Sequence, residues 1–155
     1  MSRATARVWW LAGGLCIAVV VLDQIAKAIV RGHIVVGEQV HAFGPLDLTL
    51  SHNSGVAFGL ASGSAAPLVI FAVIALAFVG YLLARNPDRQ GMWIAAGLVA
   101  GGAIGNMIDR LRTGSVTDFV EIGSWPPFNL ADVAITAGVI VFAWIFLREG
   151  DGGPA

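Results

Sequence analysis

Four long apolar segments constrain this chain more strongly than any other feature of its sequence. They cover about residues 8–30, 66–84, 92–108 and 130–147, and each is close to the ~20 residues that a helix needs to cross the hydrocarbon core of a bilayer. Because lipid offers the backbone no hydrogen-bond partners, such segments form helices rather than open strands. The sequence therefore predicts four transmembrane helices.

The overall composition agrees with a membrane protein. The chain has 155 residues, of which 57% are hydrophobic and 12% are charged, whereas a soluble domain carries about 25% charged residues. So few polar groups cannot cover a globular surface, so we expect one membrane domain over residues 1–155. The formal net charge of -1 supplies no basic stripe, and nucleic acid is therefore not an expected partner.

The basic residues beside the four segments predict the orientation of the chain. The first segment is too long for the apolar core of a signal peptide, so we expect it to remain as helix 1. Five basic residues flank the helices on one side and four on the other, and the positive-inside rule then predicts that both termini are cytoplasmic. The five are Arg3, Arg7, Arg85, Arg89 and Arg148, and the four are Lys27, Arg31, Arg110 and Arg112.

The external segment between the first two helices, residues 33–65, has the pattern of β-strands. Leucines at positions 46, 48 and 50 alternate with polar residues, which is the period of a strand. Residues 34–36 and 40–43 are mainly apolar runs beside turn-forming glycines, so they are expected to flank the turns of the same sheet.

We expect these strands to form a small antiparallel sheet on the outer membrane surface. The sheet should end at residues 53–55, with residues 56–58 turning back toward lipid. The predicted fold class is a mainly α membrane protein with four transmembrane helices and a small extracytoplasmic antiparallel β-sheet.

Two aspartates, Asp118 and Asp132, are the main candidates for chemistry. Asp118 lies among the aliphatic residues of 115–122, which disfavour its charged form, although a solvated loop acid fits the pattern too. Asp132 follows Asn129 by three positions at the start of helix 4, so it can be a capping residue alone. If the two carboxylates are close, ionised Asp132 can activate a water molecule while protonated Asp118 acts as the acid.

The outer end of helix 3 contains a second polar group. Asn106 and Arg110 are four residues apart, with Asp109 beside them. They can form an interfacial cap with a local Asp109–Arg110 pair, or they can line a polar pocket. The glycines at positions 97, 101 and 105 share one face of the same helix and predict close packing against another helix, within the chain or between chains.

Helix 1 contains an acid and a base on one face, Asp23 and Lys27. As a neutralised ion pair they can stabilise the bundle alone, or they can belong to a functional site. The three histidines all lie in residues 33–65 without the spacing of a zinc site, and the one cysteine, Cys16, supports neither a disulfide nor a Cys-based site. We therefore expect no metal.

Taken together, these residues make the chain resemble bacterial lipoprotein signal peptidase (signal peptidase II), a family of four-helix membrane aspartyl proteases. The resemblance covers nearly the whole chain and depends on five motifs in the order of the family. The motifs are DQIAK at residues 23–27, NSGVAF at 53–58, GNMIDR at 105–110, VTDF at 116–119 and FNLAD at 128–132.

The resemblance implies a role for each matching residue. The catalytic dyad of the family falls on Asp118 and Asp132, and no metal or cofactor is implied. Thr117 stands where many members have an aliphatic residue, and Asp109 is expected to be structural. The polar residues that line the substrate pocket of the family fall on Asp23, Lys27, Asn53, Asn106, Arg110 and Asn129.

The resemblance also implies a substrate and a place in the cell. The implied substrate is a diacylglyceryl-modified prolipoprotein, cut before its lipidated cysteine to release the signal peptide. The expected partners are this substrate and membrane lipids, with the enzyme acting as a monomer. The implied location is the bacterial cytoplasmic (inner) membrane, with the active site near the outer face.

Two other classes of function fit parts of the sequence. A transporter or channel subunit could use Asp23, Asp109 and Asp132 as a proton path, but these acids cluster at one membrane face and no inverted repeat is visible. A non-catalytic assembly factor would use the glycine face of helix 3, and it predicts that both dyad aspartates are dispensable.

Overall fold

The computed structural model describes residues 3–55 and 66–150 of the chain. Each of the four helices in these residues is long and apolar enough to cross a membrane, which confirms the prediction of four such helices. The helices are α1 (Arg3–His33), α2 (Ala66–Arg85), α3 (Met92–Thr113) and α4 (Leu130–Gly150). The strands are β1 (Gln39–Phe43), β2 (Leu46–Asn53), β3 (Val116–Ile122) and β4 (Trp125–Phe128).

The helices extend beyond the predicted apolar segments, for example at the C-terminal end of α3. That helix continues past the predicted end at residue 108 as far as Thr113. It ends at Gly114, whose positive φ of 77° and N–H bond to the Arg110 carbonyl form a left-handed cap. Hydropathy identifies only the apolar part of a helix, so it does not predict the polar turn that extends α3 beyond residue 108.

Helix α3 is the central helix of the bundle. Of its membrane span, 61% is buried inside the protein, compared with 11% for α2. A Cβ atom at Gly101 would lie 2.6 Å from the Val19 Cβ atom of α1, and one at Gly138 of α4 would lie 2.6 Å from Val99 Cγ2. These glycines therefore permit close helix approach. The predicted glycine face packs within the chain, against α1.

The sheet is antiparallel throughout, in the order β1-β2-β3-β4. The prediction that residues 34–36 belong to the sheet was wrong. Helix α1 continues to His33, and residues 34–36 connect it to the turn at Gly37, whose φ is 84°. The connection between α3 and α4 supplies β3 and β4, so this connection and the one between α1 and α2 build one sheet. Two prolines confine β4 to the edge of the sheet.

A small apolar cluster attaches the sheet to the helices. Val30 at the end of α1, Leu50 of β2 and Phe119 of β3 are buried against one another. This cluster holds β3 over the end of the bundle where α1 ends, which places Asp118 near the start of α4. The expected return of residues 56–58 toward lipid lies outside the described residues.

Candidate active site

Asp118 lies in the middle of strand β3 and is almost completely buried, with 2% of its surface exposed. Its cross-strand neighbour is Ser51 of β2. The Asn129 Nδ2 atom donates a hydrogen bond of 2.6 Å to Asp118 Oδ1, and the Asn53 side chain also hydrogen-bonds the carboxyl. Burial therefore separates the Asp118 carboxyl from bulk solvent, while two amides hold it in place.

Burial raises the pKa of Asp118 from 3.8 to about 6, because the charged form loses its hydration. Hydrogen bonds from Asn53 and Asn129 oppose this shift of the pKa, as does the more distant charge of Lys27. The negative charge of Asp132 adds to it. Asp118 can therefore keep a proton at a pH where an exposed aspartate is ionised.

Asp132 forms the capping box that the sequence predicted at the start of α4. The Asp132 N–H donates to Asn129 Oδ1 at 3.0 Å, and the Asn129 N–H donates to Asp132 Oδ2 at 3.2 Å. The other carboxylate oxygen, Oδ1, accepts a hydrogen bond of 2.8 Å from Asn106 Nδ2. Asp132 is therefore more than a cap, because α3 also fixes its carboxylate.

Asn129 connects the two aspartates directly. It is fully buried, and its amide nitrogen donates to Asp118 while its oxygen and backbone N–H are bound to Asp132. Strand β3, which contains Asp118, and helix α4, which contains Asp132, are thus joined through Asn129. The two aspartates, fourteen positions apart in the sequence, meet because β4 returns the chain from β3 to α4.

Lys27 lies beneath this pair and is the only lysine in the chain. Its Nζ atom contacts Asp23 Oδ2 at 2.9 Å, Asp109 Oδ2 at 3.1 Å and Asn106 Oδ1 at 3.0 Å. Three acceptors match the three hydrogens of an ammonium group. Both Lys27 and Asp23 are 0% exposed. Both side chains are therefore closed off from solvent in this structure, and their predicted place in the substrate pocket stays a prediction.

Asp109 connects the buried lysine to strand β3. Its Oδ2 atom accepts a hydrogen bond of 3.0 Å from the N–H of Thr117, the residue directly before Asp118. Arg31 Nη1 donates to Thr117 Oγ1 at 2.9 Å and lies 3.9 Å from Asp109 Oδ1. The carboxylate thus faces Lys27 and Arg31 and binds strand β3 instead of pairing with Arg110, a geometry that suits the structural role expected for it.

Two members of this network, Gln24 and Arg31, were not identified from the sequence. Gln24 Nε2 lies 3.2 Å from each of Asp23 Oδ2, Asp109 Oδ1 and the Gly105 carbonyl oxygen. The signals were present, because Gln24 belongs to the DQIAK motif and Arg31 follows Lys27 by one helical turn. Neither signal shows which partner lies across the helix interface.

Arg110 is half-buried beside the aspartates. Its positive charge is attracted by Asp132, Asp118 and Asp109, in that order of strength. Its buried Nε atom has no hydrogen-bond partner among residues 3–55 and 66–150. A donor left free near two carboxylates is available for a substrate group, which favours the pocket interpretation of Arg110 over an interfacial cap.

The site therefore combines a carboxylate pair with amide and guanidinium donors. Asn53, Asn106, Arg110 and Asn129 surround the pair, whereas Asp23 and Lys27 lie below it. Within the described ranges, no three His, Cys, Asp or Glu side chains are placed to hold a metal ion. The arrangement is suited to activating a water molecule by acid and base catalysis.

Comparisons with known proteins agree on one family. The model of the family described as signal peptidase (SPase) II matches residues 15–148. A lipoprotein signal peptidase of Moorella thermoacetica is 40% identical over 145 residues, which are 90% of this chain and 95% of the relative. One from Pelotomaculum thermopropionicum is 43% identical over 141 residues, which are 88% of this chain and 92% of the relative.

A solved structure of a bacterial membrane enzyme has the same fold. It superposes with a TM-score of 0.84 at 30% sequence identity, over 93% of this chain and 92% of the other. The similarity therefore includes the four helices as well as the sheet.

Proposed function

The chain belongs to the signal peptidase II family, and we propose that Asp118 and Asp132 are the catalytic dyad of its reaction. Membership makes the protein a multi-pass membrane peptidase of the kind that removes signal peptides from lipoproteins. The proposed substrate is a diacylglyceryl-modified prolipoprotein, cut on the amino side of its lipidated cysteine.

One observation is the main support for the dyad. The two carboxyl groups bind the same residue, Asn129, although one lies on a strand and the other on a helix: the Asn129 side-chain amide donates to Asp118 and its backbone N–H donates to Asp132. Their surroundings differ, because Asp118 is buried with a raised pKa while Asp132 is partly exposed at a helix N-terminus. A pair with unequal surroundings can divide the roles of acid and base.

In the proposed mechanism, ionised Asp132 removes a proton from a water molecule held between the two carboxyl groups. The water oxygen bonds to the peptide carbonyl carbon, while protonated Asp118 donates its proton to the carbonyl oxygen. When the tetrahedral intermediate collapses, that proton returns to Asp118 and the carbon–nitrogen bond breaks. The leaving amine then takes the proton held by Asp132.

The surrounding donors are proposed to position the substrate. Arg110 has a free Nε donor, and Asn53 lies at the end of β2 beside Asp118. We propose that both hydrogen-bond the peptide or the glyceryl esters, together with Asn106 and Asn129. Asp23 and Lys27, which are fully buried, act through Asn106 and Asp109 instead of binding substrate.

The position of the site suits a lipid-anchored substrate. Asp118 and Asp132 lie where α1 and α3 end and α4 begins, at one end of the membrane spans. A cysteine whose acyl chains are in the bilayer presents its scissile bond at this depth. We propose that this end faces the outside of the cytoplasmic membrane and that both termini are cytoplasmic, as the basic residues predict.

The dyad is tested by replacing each carboxyl by an amide in purified protein. Asp118→Asn and Asp132→Asn preserve the shape of the side chain but remove its ability to hold or donate the required proton. We expect both variants to lose cleavage of a lipidated precursor, followed by the appearance of free signal peptide. Asp47→Asn, in strand β2 of the same sheet and paired with His41, is the matched control and should cleave normally.

The unfolding temperature of each variant shows whether lost activity reflects lost structure. Substantial turnover by either folded dyad variant would overturn the assignment. An equal loss in Asp47→Asn would also contradict it, because the dyad would then not be the specific requirement.

A further inference from the structure

The end of the sheet contains four apolar side chains that the proposed reaction does not use. Phe43, Leu46, Ile122 and Trp125, which we call the apolar rim, come from β1, β2, β3 and β4 in that order. In the strand register Phe43 is opposite Leu46, Leu46 is opposite Ile122, and Ile122 is opposite Trp125. The rim is therefore a continuous row across all four strands.

The rim is strongly exposed. Phe43 is 84% exposed, Trp125 is 68% exposed and Ile122 is 41% exposed. Apolar residues scattered singly on a surface need no explanation, but a contiguous row of large side chains indicates an interaction surface.

The row beside the rim is polar. His41, Asp47 and Glu121 are neighbours in the register of β1, β2 and β3. His41 Nδ1 lies 2.9 Å from Asp47 Oδ1, and Gln39 Nε2 donates to Glu121 Oε2 at 2.8 Å. Adjacent residues of a strand point to opposite faces. At this end of the sheet, one face of β2 and β3 is therefore polar and the other is apolar.

The apolar face continues onto the surface of α4 that faces lipid. Trp125 and Phe128 line a groove of about 450 Å³ together with Asp132, Val133 and Ile140 of the helix. Val133 and Ile140 are exposed in a segment that is able to span the membrane. The sheet therefore overhangs the side of α4, and the rim lies next to the region that lipid occupies.

We propose that the apolar rim inserts into the interfacial layer of the membrane, with phospholipid as its partner. Aromatic side chains are favoured at this depth, where an apolar body and a polar edge are both accommodated. The polar row then faces water. Lipid contact at the rim would hold β3, and with it Asp118, at a fixed depth. The inference depends on the sheet register and the membrane spans, not on the catalytic assignment.

The fluorescence of Trp125 tests this directly. The other tryptophans, Trp9, Trp10, Trp93 and Trp144, are replaced by Phe, and the full chain is reconstituted into phosphatidylcholine vesicles. We expect lipids brominated near the glycerol end of the acyl chain to remove most of the Trp125 emission. Lipids brominated near the methyl end should remove less, and acrylamide in the water should have little effect.

A matched control places the only tryptophan on the polar row. Glu121→Trp is combined with Trp125→Phe in the same background, so the probe moves to the opposite face of the sheet beside Ile122. Acrylamide should then quench the emission strongly and brominated lipids only weakly. Equal quenching of both positions by acrylamide, with no effect of brominated lipid on Trp125, would overturn the proposal.

A second variant tests the rim without moving the probe. Phe43→Glu places a charge in the row while Trp125 remains the only tryptophan. We expect its emission to shift to longer wavelength and quenching by brominated lipid to decrease. Unchanged emission and quenching would contradict insertion of the rim as a unit.

Discussion

The protein contains two pairs of aspartates, and they differ in the chemical group that binds them. Asp23 and Asp109 are bound to one ammonium group, Lys27, at 2.9 and 3.1 Å. Asp118 and Asp132 are bound by amides instead, and no cation within the described residues lies within ion-pair distance of either. The first pair is held in place by a cation, whereas the second keeps a charge that a proton can change.

The cation of the first pair, Lys27, also determines the direction of the hydrogen bonds in the second pair. An ammonium group can only donate, so Asn106 must turn its oxygen toward Lys27. Its NH₂ group is then directed to Asp132 Oδ1, at 2.8 Å. Asn129 donates to the same Asn106 oxygen at 3.2 Å and to Asp118 at 2.6 Å. A structural ion pair thus orients the donors of the candidate catalytic pair.

Removing the ammonium group should have the largest effect on stability. Lys27→Met would leave Asp23 and Asp109 buried together without their main cation, and breaking a buried ion pair costs about 3–5 kcal/mol. We expect a large fall in the unfolding temperature in detergent micelles. Arg112→Met removes an exposed cation near the C-terminal end of α3 and should change stability by less than about 0.5 kcal/mol.

A second measurement separates charge balance from packing. If the loss in Lys27→Met arises from uncompensated carboxylates, adding Asp109→Asn should restore part of the stability. If Lys27→Met and Arg112→Met were equally stable, the first pair would not be the structural element that the comparison describes.

In the second pair, removing a charged group should raise stability: Asp118→Asn should stabilise the protein, whereas Lys27→Met destabilises it. The pKa of Asp118 is raised from 3.8 to about 6 in the folded protein. The stabilisation from the Asp118 proton is fully present at pH values below 3.8, the pKa of this group in the unfolded chain. It is lost as pH rises through about 6, the pKa in the folded protein. At about pH 7.5 the cost is on the order of 3 kcal/mol, which Asp118→Asn should recover while it abolishes activity.

The measurement is the stability of wild type and Asp118→Asn across this pH range. We expect wild type and Asp118→Asn to have similar stability near pH 4, and Asp118→Asn to be the more stable protein above about pH 6. A constant difference between wild type and Asp118→Asn at all pH values would show that burial of Asp118 does not control its proton.

The sequence predicted the candidate catalytic pair better than it predicted the support beneath it. The aspartates have local signals, namely a capping box before α4 and an aliphatic strand around Asp118. The contacts of Lys27 with Asp109 and of Arg31 with Thr117 join residues 82 and 86 positions apart. They depend on how α1 is aligned against α3 at glycines such as Gly101, which hydropathy does not encode.

The sheet was predicted in part for a similar reason. The alternating leucines of β2 indicate a strand by themselves, and that prediction was confirmed. Strand β4 has only four residues, two of them proline, and has no periodic signal of its own. It is a strand because β3 pairs with it in the folded protein, so its existence follows from tertiary structure.

The smallest predicted effect separates the two roles of Asn129. Asn129→Ser keeps an oxygen that can cap α4 but removes the amide donor to Asp118, whereas Asn129→Ala removes both. The Ala variant should be less stable than the Ser variant by about 1 kcal/mol at every pH. The Ser variant should approach wild type near pH 4 and fall below it above about pH 6, because only ionised Asp118 strongly needs the lost donor. Unfolding temperatures of the three proteins across this range measure both differences. If the stability difference between Asn129→Ser and wild type does not change with pH, Asn129 acts only as a helix cap. Its hydrogen bond to Asp118 would then not stabilise the ionised carboxylate.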